Sequence, residues 1–343
     1  MRPEGPTSPP SPPPTAQPPA GPPPGRRRLL GATAGVAALV ATLFLGIAIG
    51  RGTADGPATS STTGVQGLDQ ESPGPTQEVQ VPDELAWAPP ELDDPETVEV
   101  TQDERDLRLD DDTDYVVEMP DEPVDGAVTI SGGRDVVLIG GEIRIDEESD
   151  SDNGQRGLYL KDQTGTIHVE GLLISGDELA EGINLSQRAG ATVQLQNVRV
   201  ETVHGSRDGH HADVIQTWAG PSVLRIDRLT GSTTYQGFFL LPMQFLEEEP
   251  ELFDLRNVNI VGEDAAYLLW RDGAAWPLDV DNVWVSTDKD PEDRGAFLWA
   301  RGDDAEDAWD DVEVGTPPGG DFVPADSVGV GYSSPGYLDS TGD

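Results

Sequence analysis

The sequence predicts an all-β protein wound as a right-handed parallel β-helix, a solenoid of about seven coils, and two superposed repeats predict it. In the first, the fragments "TIHVEGLLIS", "TVQLQNVRVE", "LRIDRLTGS", "FDLRNVNIVG" and "LDVDNVWVST" share one alternation of apolar and polar positions. A single turn residue interrupts it each time, namely Gly171, Asn197, Arg228, Asn257 and Asn282. These residues stand 26, 31, 29 and 25 positions apart, and a period of about 20–50 residues built from short strands marks a stacked array. In the second repeat, "GLYLKD", "GINLSQ", "DVIQTW", "GFFLLP", "AYLLWR" and "AFLWAR" begin at Gly157, Gly182, Asp213, Gly237, Ala266 and Ala296. Two or three short strands per coil, joined by crossovers that are right-handed where parallel strands are linked, close into a β-helix.

Taken in order, the chain begins with segments that cannot belong to that core. Residues 1–28 are dominated by proline and small polar residues, which bury too little apolar surface to offset ordering entropy, so a disordered tail with polyproline II character is expected. Residues 29–50, "LLGATAGVAALVATLFLGIAIG", carry no charge. At about 1.5 Å per residue they match a hydrocarbon core of about 30 Å, and a single transmembrane helix is predicted. Arg26, Arg27 and Arg28 precede it and only Arg51 follows closely. The positive-inside rule then puts the N-terminus in the cytoplasm and the remainder outside the cell membrane. Residues 51–96 lack any hydrophobic period and read as a flexible acidic Pro/Ser/Thr linker. The β-helix is assigned to 97–315 and an irregular tail to 316–343.

Within the coils, strand residues alternate inward and outward. Leu158, Ile183, Val214, Phe238, Tyr267 and Phe297 are expected in one inward stack, and Leu160, Leu185, Gln216, Leu240, Leu269 and Trp299 in another. Asparagine in the turn column suits a left-handed bend and can hydrogen-bond to its neighbours as a ladder.

The run "YVVEMPDEPVDGAVTISGGRDVVLIGGEIRI" resembles the first coils of right-handed parallel β-helix proteins of the pectate-lyase-like superfamily, of a membrane-anchored bacterial type, and the later coils follow it to about residue 315. The resemblance covers most of the chain beyond the linker and implies a carbohydrate-directed role, since such folds carry polysaccharide lyases, glycoside hydrolases and non-enzymatic adhesins. Neither the paired aspartates with Gly-His-Gly of polygalacturonases nor the Arg-x-Pro-x-x-Arg run of calcium-dependent pectate lyases is present, so neither activity carries over.

The net charge of −43 excludes a nucleic-acid partner, which would need a basic footprint. With no cysteine, thiolate metal sites and disulfides are excluded as well. The chemistry concentrates in "SRDGHHADVIQTWAG", which holds two of the four histidines. His210, His211 and Asp213 are the candidate catalytic residues, as acid/base groups beside a sugar. Asp213 is expected to point outward from a floor of Gly157, Gly182, Gly237, Ala266 and Ala296. Tyr159, Lys161, Asn184, Trp270 and Arg271 are the candidate substrate-binding residues, aromatic faces and donors suited to sugar rings, with the cations suited to uronate or sulfate. Asp208 and Asp213 are the only local carboxylate pair that glycoside hydrolysis could use. His211 and Asp213 are too few for a metal site; no cofactor is expected, with calcium left open. The expected function is a surface-anchored domain that binds, and as a lyase or hydrolase cleaves, a polysaccharide or cell-envelope glycan along one sheet. A non-catalytic structural or adhesive envelope protein is the alternative, and enzyme status stays open between them.

Overall fold

The computed structural model describes residues 84–149, 153–207, 209–262, 265–272, 276–300 and 307–335. The proline-rich tail, the predicted transmembrane segment and most of the linker lie outside these residues. Among the described residues, no helix is long and apolar enough to cross a membrane.

The described residues form an all-β parallel solenoid of about six turns with almost no helix. The count is lower than the seven expected because the outermost rungs, such as Asp106–Arg108 and Glu313–Val314, are two- and three-residue fragments. One sheet has eight strands: Asp106–Arg108, Val128–Ser131, Arg156–Lys161, Glu181–Ser186, Asp213–Ala219, Gln236–Leu240, Tyr267–Arg271 and Leu298–Ala300. The other has twelve, and in its later coils single strands such as Thr192–Val203, Val223–Thr233 and Leu252–Gly262 run through a bend. The bend is the turn column of the sequence: Gly171, Asn197, Arg228, Asn257 and Asn282 all have φ between 50° and 69°. Their side chains form part of the expected ladder, with Asn282 Nδ2 donating to Asn257 Oδ1 at 2.7 Å and Asn257 Nδ2 to Asp227 Oδ1 at 2.7 Å.

The inward stack of the eight-stranded sheet is Val128, Leu158, Ile183, Ile215, Phe238, Leu269 and Leu298, all buried in the core. Three coils therefore sit in a different register from the one expected. Ile215 rather than Val214 pairs with Ile183, Leu269 rather than Tyr267 pairs with Phe238, and Leu298 rather than Phe297 pairs with Leu269. Val214 and Phe297 remain inside the core, but Gln216 and Trp299 leave it, since they pair with Asn184 and Trp270 on the outward face.

The cause is a corner. At Gly157–Leu158, Gly182–Ile183, Val214–Ile215 and Gly237–Phe238 two successive residues both turn inward, the first of each pair toward a facing column made by Ile174, Val200, Gly231 and Ile260. Each coil fits one large and one small residue there. A Cβ on Gly182 would lie 2.6 Å from Val200 Cγ1, and a Cβ on Gly231 would lie 2.6 Å from Val214 Cγ1. In the coil of Val214 the glycine has crossed to the facing strand. Alignment on the glycine column therefore shifts Asp213 by one position, and a one-residue slip reverses every face.

Packing also extends beyond both predicted domain limits. Trp87, assigned to the linker, exchanges backbone bonds with the amide of Gln196 at 3.1 and 2.7 Å and lies under the Arg256 guanidinium, 4.8 Å from the ring centroid. Residues 321–334, assigned to an irregular tail, run back over the twelve-stranded sheet. Asp321 pairs with Arg199 at 2.8 Å, Val323 N donates to Thr230 Oγ1 at 3.0 Å, and Gly329 bonds to both Gly141 and Gly171.

Candidate functional site

The outward face of the eight-stranded sheet carries two polar-to-aromatic rows fixed by strand register. One runs Arg156, Glu181, Asp213, Gln236 and Tyr267, and the other Thr129, Tyr159, Asn184, Gln216, Phe239, Trp270 and Trp299. Parallel neighbours stand about 4.8 Å apart, so each row is a continuous strip of stacked side chains.

At the end of the first coils the strip is open and cationic. Lys161 Nζ lies 5.4 Å from the Tyr159 ring centroid, and the Arg156 guanidinium lies 5.5 Å from the same ring and 5.2 Å from that of Trp218. Tyr159 and Trp218 meet edge to face at 5.6 Å. Tyr159 and Lys161 line a cleft of about 490 Å³ together with Asp106, Arg108, Thr129, Ser131 and Asn153. At the other end the strip is aromatic: Trp270 is 4.9 Å from Phe239, 5.1 Å from Tyr267 and 5.6 Å from Trp299, centroid to centroid. Trp270 is largely covered by these rings and Trp299 is the more open of the two.

Between the two ends lies a carboxylate pair. Glu181 accepts from Arg156 Nε at 2.6 Å and from Asn184 Nδ2 at 2.6 Å, and Asn184 also donates to Gln216 Oε1 at 3.0 Å. Asp213 is the next rung. Only 1% of it is exposed, and neither carboxylate oxygen has a hydrogen-bond partner among the described residues. Burial first, and then the Glu181 charge, push its pKa well above the usual carboxylate range, opposed by Arg156. Gln236, on the following rung, has both amide atoms buried without a partner, as has Asn184 Oδ1.

No protein-family model, curated protein or solved structure matches this chain. The site's chemistry therefore rests on its own residues.

The structure gathers Tyr159, Lys161, Asn184 and Asp213 on one face, with Trp270 further along it. It separates the others. Arg271 is in register with the inward residue Leu240; only 4% of it is exposed, its guanidinium lies 4.0 Å from the Trp276 ring centroid, and it donates to Trp276 O at 3.1 Å. Burial lowers its pKa, and such a cation is a core residue rather than a sugar contact. His210 is exposed in the loop ahead of the strand, and His211 faces Tyr235 with ring centroids 5.4 Å apart. Asp208 lies outside the described residues. Asp213 does not stand on a floor of glycine and alanine; its rung neighbours are Glu181 and Gln236, for the register reason given above.

Sequence reasoning missed Arg156, Glu181, Gln236 and Trp218. A signal for the first three exists: each of Arg156, Glu181 and Gln236 immediately precedes a glycine of the corner column, as Asp213 precedes Val214.

Proposed function

We propose that the outward face of the eight-stranded sheet binds a polysaccharide or cell-envelope glycan lengthwise, on a chain carried at the cell surface by the 29–50 segment. On this reading the solenoid is right-handed and of the pectate-lyase-like kind. The observation that carries it is the in-register strip of amide, aromatic and cationic side chains, in a protein whose surface is otherwise overwhelmingly acidic. Sugar rings stack on aromatic faces while amides and guanidinium groups fix their hydroxyls; Arg156, Lys161, Gln216, Trp218 and Trp299 reach solvent from the strip, over a layer of buried Tyr159, Asn184, Gln236, Phe239 and Trp270.

Binding without cleavage is the better supported form of this reading. A general acid must reach the oxygen it protonates, and both Asp213 oxygens are sealed from solvent while His210 and His211 belong to the loop. A non-catalytic adhesive or structural module is what remains when the acid is out of reach.

The test is binding of the full chain to an array of acidic and neutral glycans, with Trp218→Ala and Lys161→Ala as variants. Binding that falls at least tenfold in either variant, with circular dichroism and melting unchanged, supports the strip. Glycan binding indifferent to both substitutions would place the ligand elsewhere, and release of new reducing ends or unsaturated products would overturn the non-catalytic form.

A further inference from the structure

We infer that His168 is a proton-operated latch on the strap formed by residues 84–92: a neutral imidazole holds Ala88, and with it Trp87, against the twelve-stranded sheet, and an imidazolium releases them. The strap lies across the outward face of that sheet. Arg228 donates to Glu84 O at 3.1 Å, the Gln196 amide brackets Trp87, and Asp93 N donates to Asp114 Oδ2 at 2.7 Å. The Arg225 and Arg256 guanidinium groups stand 5.8 and 4.8 Å from the centroid of the Trp87 ring. None of these anchors is a strand pairing, so the strap is held by single side chains and can lift without unwinding a coil.

Beneath the strap His168 is fully buried, with a partner on each ring nitrogen. On one side Nε2 lies 3.2 Å from Glu170 Oε2, which also accepts from Ser334 Oγ, while Tyr332 Oη donates to Oε1. A carboxylate only accepts, so the proton of the neutral ring belongs on Nε2, and Nδ1 is left as an acceptor. On the other side Gln194 is the neighbouring rung. With its amide nitrogen toward the ring, Gln194 donates to His168 Nδ1 at 3.0 Å and to Ala88 O at 3.2 Å, and its oxygen accepts from Arg225 Nη1 at 3.2 Å. One amide orientation thus serves the histidine, the strap and the arginine at once.

A second proton reverses that orientation. Imidazolium carries N–H on both nitrogens, and Nδ1–H then needs the Gln194 oxygen, which sits 3.0 Å away when the amide is turned over. The turned amide sets oxygen against Ala88 O and nitrogen against Arg225 Nη1, so the strap loses its donor and meets a repulsion. Glu170, on the far side of the ring, offers the new charge a partner. The other titratable or charged groups about the ring are Arg225, beyond Gln194, and Tyr332, whose hydroxyl is held above its ordinary pKa by burial; Val137 on the preceding rung and Trp87 and Ala88 above carry no charge. Histidine is the side chain that ordinarily takes up a proton between about pH 8 and pH 5. The far end of the strap does not titrate in that range, because the Arg134 guanidinium, helped by the Asp93 and Asp135 amides, outweighs burial and holds the Asp114 carboxyl at about 2. Acid therefore frees the Trp87 end and leaves the Asp93 end attached, uncovering Gln196, Arg225 and Arg256.

The chain has no cysteine, so Ala86→Cys, at an exposed position of the strap, takes a single nitroxide label in the full chain. Its spectrum is expected to pass from immobile at pH 8 to mobile at pH 5, the docked-to-released ratio falling by roughly tenfold, as one proton coupled to one equilibrium gives. Trp87→Ala supplies the released reference. His168→Asn keeps an acceptor where Nδ1 stands and takes no proton, so its label should stay immobile throughout. Gln194→Leu should loosen the strap at pH 8 and flatten the response. A wild-type label equally immobile at both pH values overturns the latch, and so does a pH response that persists in His168→Asn, which would assign release to another group. Should His168→Asn fail to fold, Gln194→Leu decides, since an undiminished pH response there overturns the amide relay. The latch lies on the other sheet from the proposed glycan face, so neither result bears on that face.

Discussion

Asp213 and Phe238 are both buried side chains of the eight-stranded sheet, yet they answer to different physics. Phe238 is fully enclosed in the inward stack, and Phe238→Ala is expected to destabilise by about 3–5 kcal/mol through lost transfer energy and the cavity left behind. For Asp213 the sign depends on pH. Its folded pKa is raised, so between the ordinary carboxylate value and that raised value the native state binds more protons than the unfolded state, and stability falls as pH rises through the window. Asp213→Asn should remove that contribution. Urea unfolding of both proteins from pH 4 to 8 measures it as the difference between their profiles, and parallel profiles would contradict the buried-acid environment. The sequence marks Asp213 as unusual through its company of histidines and its place at a strand start. It could not show the partner, because Glu181 becomes a neighbour only through a register that the corner glycines displace by one residue.

At the scale of the element, the turn column was legible and the corner was not, for a physical reason. A left-handed bend demands glycine or a residue tolerant of positive φ, so its signature is a residue type at a fixed place, and Asn197, Asn257 and Asn282 repeat it. Asn257→Gly should keep the bend while losing the bonds to Asp227 and Asn282, at a loss of about 1 kcal/mol per bond. Asn257→Val adds left-handed strain of about 1–2 kcal/mol to that loss, so thermal stability should rank Asn above Gly above Val. The corner instead demands a sum of volumes, which either strand can supply. Gly231 is the informative position, because the three nearest atoms to a Cβ placed there are side-chain atoms of Val214 and Ile260. Gly231→Val alone should overpack by about 1–3 kcal/mol. Combined with Val214→Gly, which opens the facing space, the loss should be smaller than the sum of the two single losses, a coupling that a double-mutant cycle in urea measures directly. Additive losses would mean that the two positions do not share the corner.

Across the whole molecule, each coil of a solenoid touches only its neighbours, and the returning segment 321–334, like Trp87 on Gln196 and Arg256, ties distant coils together. Its contacts run from Gly141 and Gly171 through Asn197 and Arg199 to Thr230 and Asn259. Their centre is Glu170, fully buried in the twelve-stranded sheet, where Tyr332 Oη donates to Oε1 at 2.6 Å and Ser334 Oγ to Oε2 at 2.9 Å, with His168 Nε2 3.2 Å from Oε2. Burial and the bond to Glu170 hold the Tyr332 hydroxyl well above its ordinary pKa, so it stays a donor throughout the physiological range. The sequence scatters Phe322, Val323, Val328, Val330 and Tyr332 among Gly, Pro, Asp and Ser in this segment, and so it reads as a loose tail; its order comes from buried Phe322 and Val323 and from single bonds to the sheet beneath. Tyr332→Phe removes a donor to a buried carboxylate and an acceptor for Asn197 at 2.8 Å, which should lower stability by about 1.5–3 kcal/mol. Because the segment crosses several coils, the loss should appear as faster hydrogen exchange at the Gly141 amide, which bonds to Gly329 O, and not only near residue 332. The glycan strip lies on the other sheet, so truncation after Gly315 is expected to weaken the fold while leaving glycan affinity, measured below the lowered melting point, within about twofold. Exchange confined to the neighbourhood of residue 332, with Gly141 unchanged, would show that the segment covers the solenoid without bracing it.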